Sequence, residues 1–231
     1  MTSRNHSQAA QHEQKQNHFR RSLTPLVILI VATLAALTSS ATNIPVWDAK
    51  DWTQWTNEDC DLILTTSPWV STNSYNGPSA YEKGGQAKSV AQIVSSLVIR
   101  QASVRQAQLQ QDRDHMDDKA KKEFDAQAAA CLNQNVGDRI VIGMDADAQL
   151  GDGKIGGEVE ISKRTYPITQ VNDWIATNPC PFYVLVVSIP RTTGGNPAIG
   201  PTDKKLEFKS PVLRKFSFDP QKMIYKGKPD F

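Results

Sequence analysis

The residues whose types could carry chemistry are few, and one loop gathers several of them. Gly151-Asp152-Gly153-Lys154-Ile155-Gly156 has the form G-x-G-x-x-G. Such a loop binds a dinucleotide when a strand enters it and a helix leaves it, which sets the pyrophosphate at the helix N-terminus. Here Glu158-Val159-Glu160-Ile161 leaves it with the alternation of a strand, so a hairpin loop is expected. The same loop carries Asp145, Asp147 and Asp152. Counted from Asp145 as an EF-hand, Leu150 stands where glycine is needed and Gly156 where a bidentate acid is needed. A solvated turn is therefore expected, with a looser calcium site on the three Asp residues as the alternative.

Histidine and cysteine narrow the chemistry further. His6, His12 and His18 lie near the N-terminus, which leaves His115 alone in the rest of the chain. Its neighbours at helical spacing, Asp112, Asp118 and Lys119, mark a charged helical face rather than a metal or catalytic site. One His is too few for a multi-His zinc site. Neither the serine elbow G-x-S-x-G nor S-x-x-K occurs. Carboxylate pairs for glycoside chemistry are defined by separation in space and stay open. No catalytic, cofactor-binding or metal-binding residue is assigned, and no cofactor is expected. Of the three cysteines, Cys60 falls on the apolar face of a predicted helix as a small hydrophobe. Cys131 with Cys180 is the expected disulfide, although three pairings are open. A catalytic cysteine would need a base, and His115 is the one imidazole outside the N-terminal stretch.

Four of the five Trp lie between Trp47 and Trp69. Large aromatics dominate core burial, so a clamp that fixes the first helix to a sheet is expected. The alternative is a surface for a protein or glycan partner built from Trp52, Trp55 and Trp69, because tryptophan is enriched at binding hot spots. Around these residues Asp48, Asp51, Glu58, Asp59 and Asp61 oppose only Lys50. Residues 201–231 carry the opposite bias, eight basic against four acidic, so the two ends are expected to attract each other.

The elements that must position these residues follow a leader. No charge occurs from Ser22 to Trp47, Arg20 and Arg21 precede that run, and Ser39-Ser40-Ala41 ends its apolar centre. This is the pattern of a secretory signal peptide over residues 1–41. Its apolar run, Leu23–Leu37, falls short of the ~20 residues of a membrane-spanning helix. Export to the periplasm or the medium is expected; an uncleaved N-terminal membrane anchor is the alternative. The chain has 26 basic and 24 acidic residues, and without the leader 22 basic stand against 23 acidic. Nucleic-acid binding, which needs a basic surface, is not expected.

Residues 42–231 are expected to form a single α+β domain, a mostly antiparallel sheet with one short N-terminal helix and one long helix. Thr56 with Asp59 forms a capping box for a helix over 57–65, which Pro68 ends. An exposed loop is expected over 71–88, which is rich in Ser, Asn, Gly and Pro. Val90–Ile99 reads as a strand, and 102–133 as the long helix, with a weak point near Asp112–Asp114. Strands are expected at 139–144, 158–163, 182–189, 204–209, at the stretch marked by Val212, Phe216 and Phe218, and at 223–225. Phe182–Ile189 has the continuous apolar character of a strand buried on both faces.

The box Trp52-Thr53-Gln54-Trp55-Thr56, Asp59, Ile63-Leu64 and Ser67-Pro68-Trp69 resembles the start of a family of uncharacterised exported proteins, mainly acidobacterial. Ala102–Ala107 is similar to a second stretch of that family. So is the ending Lys215-Phe216 with Lys222–Lys228. Together these cover about a quarter of the chain, and Cys60 departs from the aliphatic residue expected there. The resemblance implies export and a bacterial origin; it supplies no catalytic residue. The function class favoured is a non-enzymatic exported binding or scaffolding domain for an unidentified protein or glycan. The alternative is an extracytoplasmic hydrolase working through carboxylates or another dyad.

Overall fold

The computed structural model describes residues 44–75, 87–145, 157–175, 177–209 and 215–231. The expected signal peptide, the middle of the 71–88 loop, Val212 and the whole of Gly151–Gly156, with Asp147 and Asp152, lie outside those residues. Among the described residues no helix is long and apolar enough to cross a membrane.

The chain enters through a short helix α1, Val46–Ala49, and a 3-10 turn, Trp52–Gln54. Helix α2, Asn57–Thr66, starts at the capping box the sequence announces. The Thr56 hydroxyl accepts from the Asp59 N–H at 3.3 Å, and the Asp59 carboxylate accepts from the Thr56 N–H at 2.7 Å. Strand β1, Val70–Tyr75, and strand β2, Ala87–Ile93, then pair antiparallel, so the flanks of the expected 71–88 loop are strand.

Two expectations give way here. The apolar run from Val90 leaves the sheet at Ile93, and helix α3, Leu97–Gln110, takes up its last residues. The expected long helix breaks at its weak point near Asp112–Asp114 into two helices. Asp112 turns left-handed, with φ 50°, and helix α4, Asp118–Leu132, restarts on the Asp117 cap. The break falls where the charged stretch weakens the apolar pattern.

After α4 come β3, Arg139–Asp145; β4, Glu158–Ile161; β5, Arg164–Pro167; and β6, Thr169–Gln170. Strand β7, Leu185–Pro190, follows, then the small hairpin β8, Thr192–Thr193, with β9, Asn196–Pro197. The last strands are β10, Leu206–Lys209; β11, Ser217–Phe218; β12, Ile224–Tyr225; and β13, Lys228–Pro229. The β4–β5 turn is Ser162-Lys163, with φ 48° and 72°. Two left-handed residues suit the twist of a two-residue hairpin, although neither residue type advertises that conformation.

Every strand pair is antiparallel. Among the described residues the first sheet runs β1-β2-β3-β7-β6 and the second β11-β10-β4-β5, beside the two-stranded pairs β8-β9 and β12-β13. The sheets join at both margins. Strand β5 passes into β6 through the single residue Ile168. At the other margin the Ser217 N–H donates to the Ser71 hydroxyl at 3.1 Å, and the Asn73 amide donates to the Lys215 carbonyl at 3.2 Å. Register fills the interior with partners that share a face. Ala91 faces Met144, Ile93 faces Ile142, and Ile142 faces Val187 in the first sheet. In the second, Leu206 faces Ile161 and Phe208 faces Val159. All are buried, and they form one cluster with Phe216, Phe218, Trp55, Ile63 and Trp69.

The C-terminal segment is part of this body. The Asp230 carboxylate accepts from the Ser96 hydroxyl at 2.6 Å and from the Leu97 and Val98 N–H groups at 2.9 and 3.0 Å, and so caps α3. Its backbone carbonyl accepts from the Trp69 indole N–H. The Tyr225 hydroxyl donates to Gln101 at 2.7 Å, and the Lys226 N–H donates to Asp48 at 2.7 Å. The acidic entrance and the basic ending therefore meet, as their charges suggest. Pro45–Phe231 forms a single compact unit.

Candidate functional site

The tryptophans do not make an exposed platform. Trp55 and Trp69 are fully buried in the main core, so those two members of the expected partner surface are corrected to packing residues. Trp52 is half-buried and touches both the main core and the helix-pair core. Trp47 packs edge-on to Trp69, with ring centroids 5.3 Å apart. The clamp describes Trp55 and Trp69, which sit in the core with α2, while Trp47 and Trp52 are partly buried against it.

Cys131, at the end of α4, is joined to Cys180, with Cα atoms 5.4 Å apart. Cys60 is buried and free, and burial pushes its thiol up to about 12. His115 is exposed, and its Nδ1 lies 2.7 Å from the Asp112 carboxylate, whose hydrogen bond and charge raise its pKa. Among the described residues no group of His, Cys, Asp and Glu is arranged to hold a metal ion.

A groove of about 430 Å³ lies elsewhere, on the face of the first sheet turned away from the interior. Its floor starts from a glycine. Gly143 of β3 pairs with Gln92 of β2, and a Cβ at 143 would overlap the Tyr183 ring. The ring lies on the strand where glycine removes the obstacle. The Tyr183 hydroxyl donates to the Gln92 carbonyl oxygen, and the Gln92 amide donates to the Leu64 carbonyl. Burial pushes the Tyr183 phenol far above its ordinary range, so the floor is uncharged.

Helix α3 supplies one wall with Ser103, Gln106, Ala107 and Gln110, which recur at the three- and four-residue spacing of one helical face. The other wall is Pro179, Pro181 and Phe182, on the loop that the disulfide ties to α4. Asp145 stands at the rim, at the end of β3. Phe182 is 74% exposed and Val184 is 56% exposed. The stretch expected to form a strand buried on both faces thus begins its strand at Leu185, and its first residues form the groove wall.

Sequence reasoning missed Gln92, Ser103, Gln106, Gln110, Phe182 and Tyr183. Glutamine amides have no spacing signature, and Phe182-Tyr183 is indistinguishable by pattern from the strand it precedes. The one available signal was Gly143, a glycine inside an otherwise apolar strand, which often marks a close approach of another group. Compared with protein-family models, curated proteins and solved structures, the chain matches none.

Proposed function

We propose that the chain is an exported binding domain and that this groove holds its ligand. The observation that carries the proposal is the composition of the groove. Its volume lies within the ~300–1,000 Å³ of ligand sites. Among the described residues it gathers amides, hydroxyls and an exposed aromatic ring around the single carboxylate Asp145. Acid–base hydrolysis needs two ionisable groups converging on one bond, so this lining favours binding over turnover. The charge-free apolar N-terminal run and its resemblance to exported proteins support export, as does a disulfide, which persists in oxidising compartments.

The test is a fragment screen by amide NMR on the folded protein with its disulfide intact. Ligands of this domain are expected to shift the signals of Ser103, Gln106, Gln110 and Phe182 together. Shifts that cluster on another surface would place the site elsewhere. Steady turnover of a glycoside or ester would replace the binding reading with the hydrolase.

A further inference from the structure

We propose that the groove's ligand is an uncharged saccharide, stacked on Phe182 and hydrogen-bonded by the glutamines of α3 and by Asp145. This rests on the binding role proposed above and names the ligand class for the same groove.

Charge is the first observation. Among the described residues the lining contains no Lys, Arg or His. Phosphate, sulfate and uronic acid groups are recognised through such cations, so an anionic ligand lacks its partner. A cationic ligand would meet one carboxylate, Asp145.

The polar groups that remain suit a neutral ligand dense in hydroxyls. Each glutamine amide offers a donor and an acceptor side by side, and a carboxylate accepts from two adjacent hydroxyls. The Gln106 amide donates to Asp61, which fixes the side chain while its carbonyl oxygen keeps acceptor capacity. Gln110 and Phe182 are exposed, and Phe182 presents an apolar ring face beside these groups. A sugar ring has the complementary form, an apolar C–H face edged by hydroxyls.

The fold disfavours a peptide in this place. Adding a strand needs an unpaired sheet edge, but β2 and β3 are both paired on their two sides. A proline-rich segment docks between several aromatic ridges. Here the Tyr183 ring is laid on Gly143 and its hydroxyl is held by Gln92, which leaves Phe182 as the one projecting ring of the lining. An amphipathic helix would find Pro179, Pro181 and Phe182 on one wall but would set the rest of its apolar face against Gln106 and Gln110 on the other.

The experiment titrates the folded, disulfide-intact protein with a panel of neutral hexasaccharides. The panel holds β-1,4-glucan, α-1,4-glucan, β-1,3-glucan, xylan, mannan and chitin oligomers. An oligogalacturonate, a proline-rich peptide and a Lys-rich peptide are run beside them. At least one neutral oligosaccharide is expected to bind and to shift Gln106, Gln110 and Phe182 signals. Phe182→Ala is expected to weaken that binding about tenfold or more, and Gln110→Ala and Asp145→Asn several-fold. Both Phe182 and Gln110 are exposed, so the unfolding midpoint is expected to stay fixed in their variants; His115→Ala, exposed and outside the lining, is expected to bind like wild type. Groove binding by the charged saccharide or a peptide alone would overturn the saccharide while keeping the binding role. Saccharide binding indifferent to Phe182→Ala would overturn the placement. A groove whose signals move with no member of the panel and no fragment would overturn both proposals.

Discussion

Asp230, the penultimate residue, is expected to be among the most costly surface-proximal carboxylates to remove. Its side chain accepts three hydrogen bonds at the start of α3, from Ser96, Leu97 and Val98. Losing an N-cap acceptor costs about 0.5–2 kcal/mol. A carboxylate at a helix N-terminus adds roughly 0.3–1 kcal/mol through the helix dipole. The Ser96 hydroxyl, on a fully buried residue, would lose its acceptor, which costs about 1–3 kcal/mol more. These contributions overlap, and about 2–4 kcal/mol for Asp230→Ala is the expected total. For a domain of this size that lowers the Tm by roughly 5–15 °C. Asp230→Asn keeps acceptor capacity but removes the charge that Arg100 and Arg191 feel, so an intermediate loss is expected. Urea unfolding, followed by tryptophan fluorescence and circular dichroism with the disulfide intact, measures both variants. The Trp69 indole bonds the backbone carbonyl of Asp230, so side-chain substitution leaves that contact in place. A change within about 0.5 kcal/mol for Asp230→Ala would refute the capping role.

Glu207 gives an acid-side prediction. Hydrogen bonds and charge from Lys205 and Lys215 hold its carboxyl at about 2, below an ordinary 4.5. A depressed folded pKa contributes stability above the unfolded value and loses it as pH falls through the folded one. Wild type is therefore expected to lose more stability than Glu207→Gln between pH 4.5 and 2; parallel curves in acid titration would contradict this. Cys60, with its thiol pushed up to about 12, is expected to resist iodoacetamide at pH ~8 in the native state and to be alkylated in denaturant. Native labelling at the rate of a free thiol would show that the site opens. Trp55→Ala is expected to cost about 3–5 kcal/mol in urea, while Trp55→Phe, which keeps most of the packing, recovers most of that. An Ala variant as stable as wild type would remove Trp55 from the clamp. N-terminal sequencing of the exported protein is expected to begin at Thr42, within a few residues; recovery of the full leader on membranes would establish the anchor.

What was legible in the sequence was local. The Thr56–Asp59 capping box lies within four residues, and the alternation of Val159 with Ile161 and of Leu206 with Phe208 lies within single strands. Each was enough to place its element and its buried face. The end of β2 was only partly local. Val90–Ile99 is rich in β-branched residues, yet it divides at Ser96, which caps α3 through the Ile99 N–H, and Asp230, 133 residues away, completes the cap by holding the Leu97 N–H. Likewise Ser162-Lys163 makes a two-residue hairpin that Asn or Gly would have announced. Phe182 and Val184 continue an apolar run in sequence but leave the sheet in space. The groove inherits this difficulty, because its residues span Leu64 to Tyr183 and come from two helices, two strands and a loop. Its polar members other than Asp145 are neutral, so no charge pattern marks them.

Both walls of the groove are fixed before any ligand arrives, and by residues far from it in sequence. Asp230 holds the N-terminus of α3. One turn on, the Arg100 guanidinium donates to the Leu132 carbonyl at 2.7 Å and to the Ser95 carbonyl at 3.2 Å. It thereby ties the start of α3 to the end of α4, where the last carbonyls of a helix have no partner of their own. Cys131 lies in that same last turn, and its disulfide carries the opposite wall through Cys180. Burial lowers the Arg100 pKa, a cost offset in part by the charge of Asp230. The two walls thus hang from one junction of α3, α4 and the C-terminal segment. A ligand entering such a groove orders little of the backbone, and a preformed wall costs less entropy to bind against. Weakening the junction, as in Asp230→Ala, is then expected to loosen both walls at once and so to weaken groove binding together with stability.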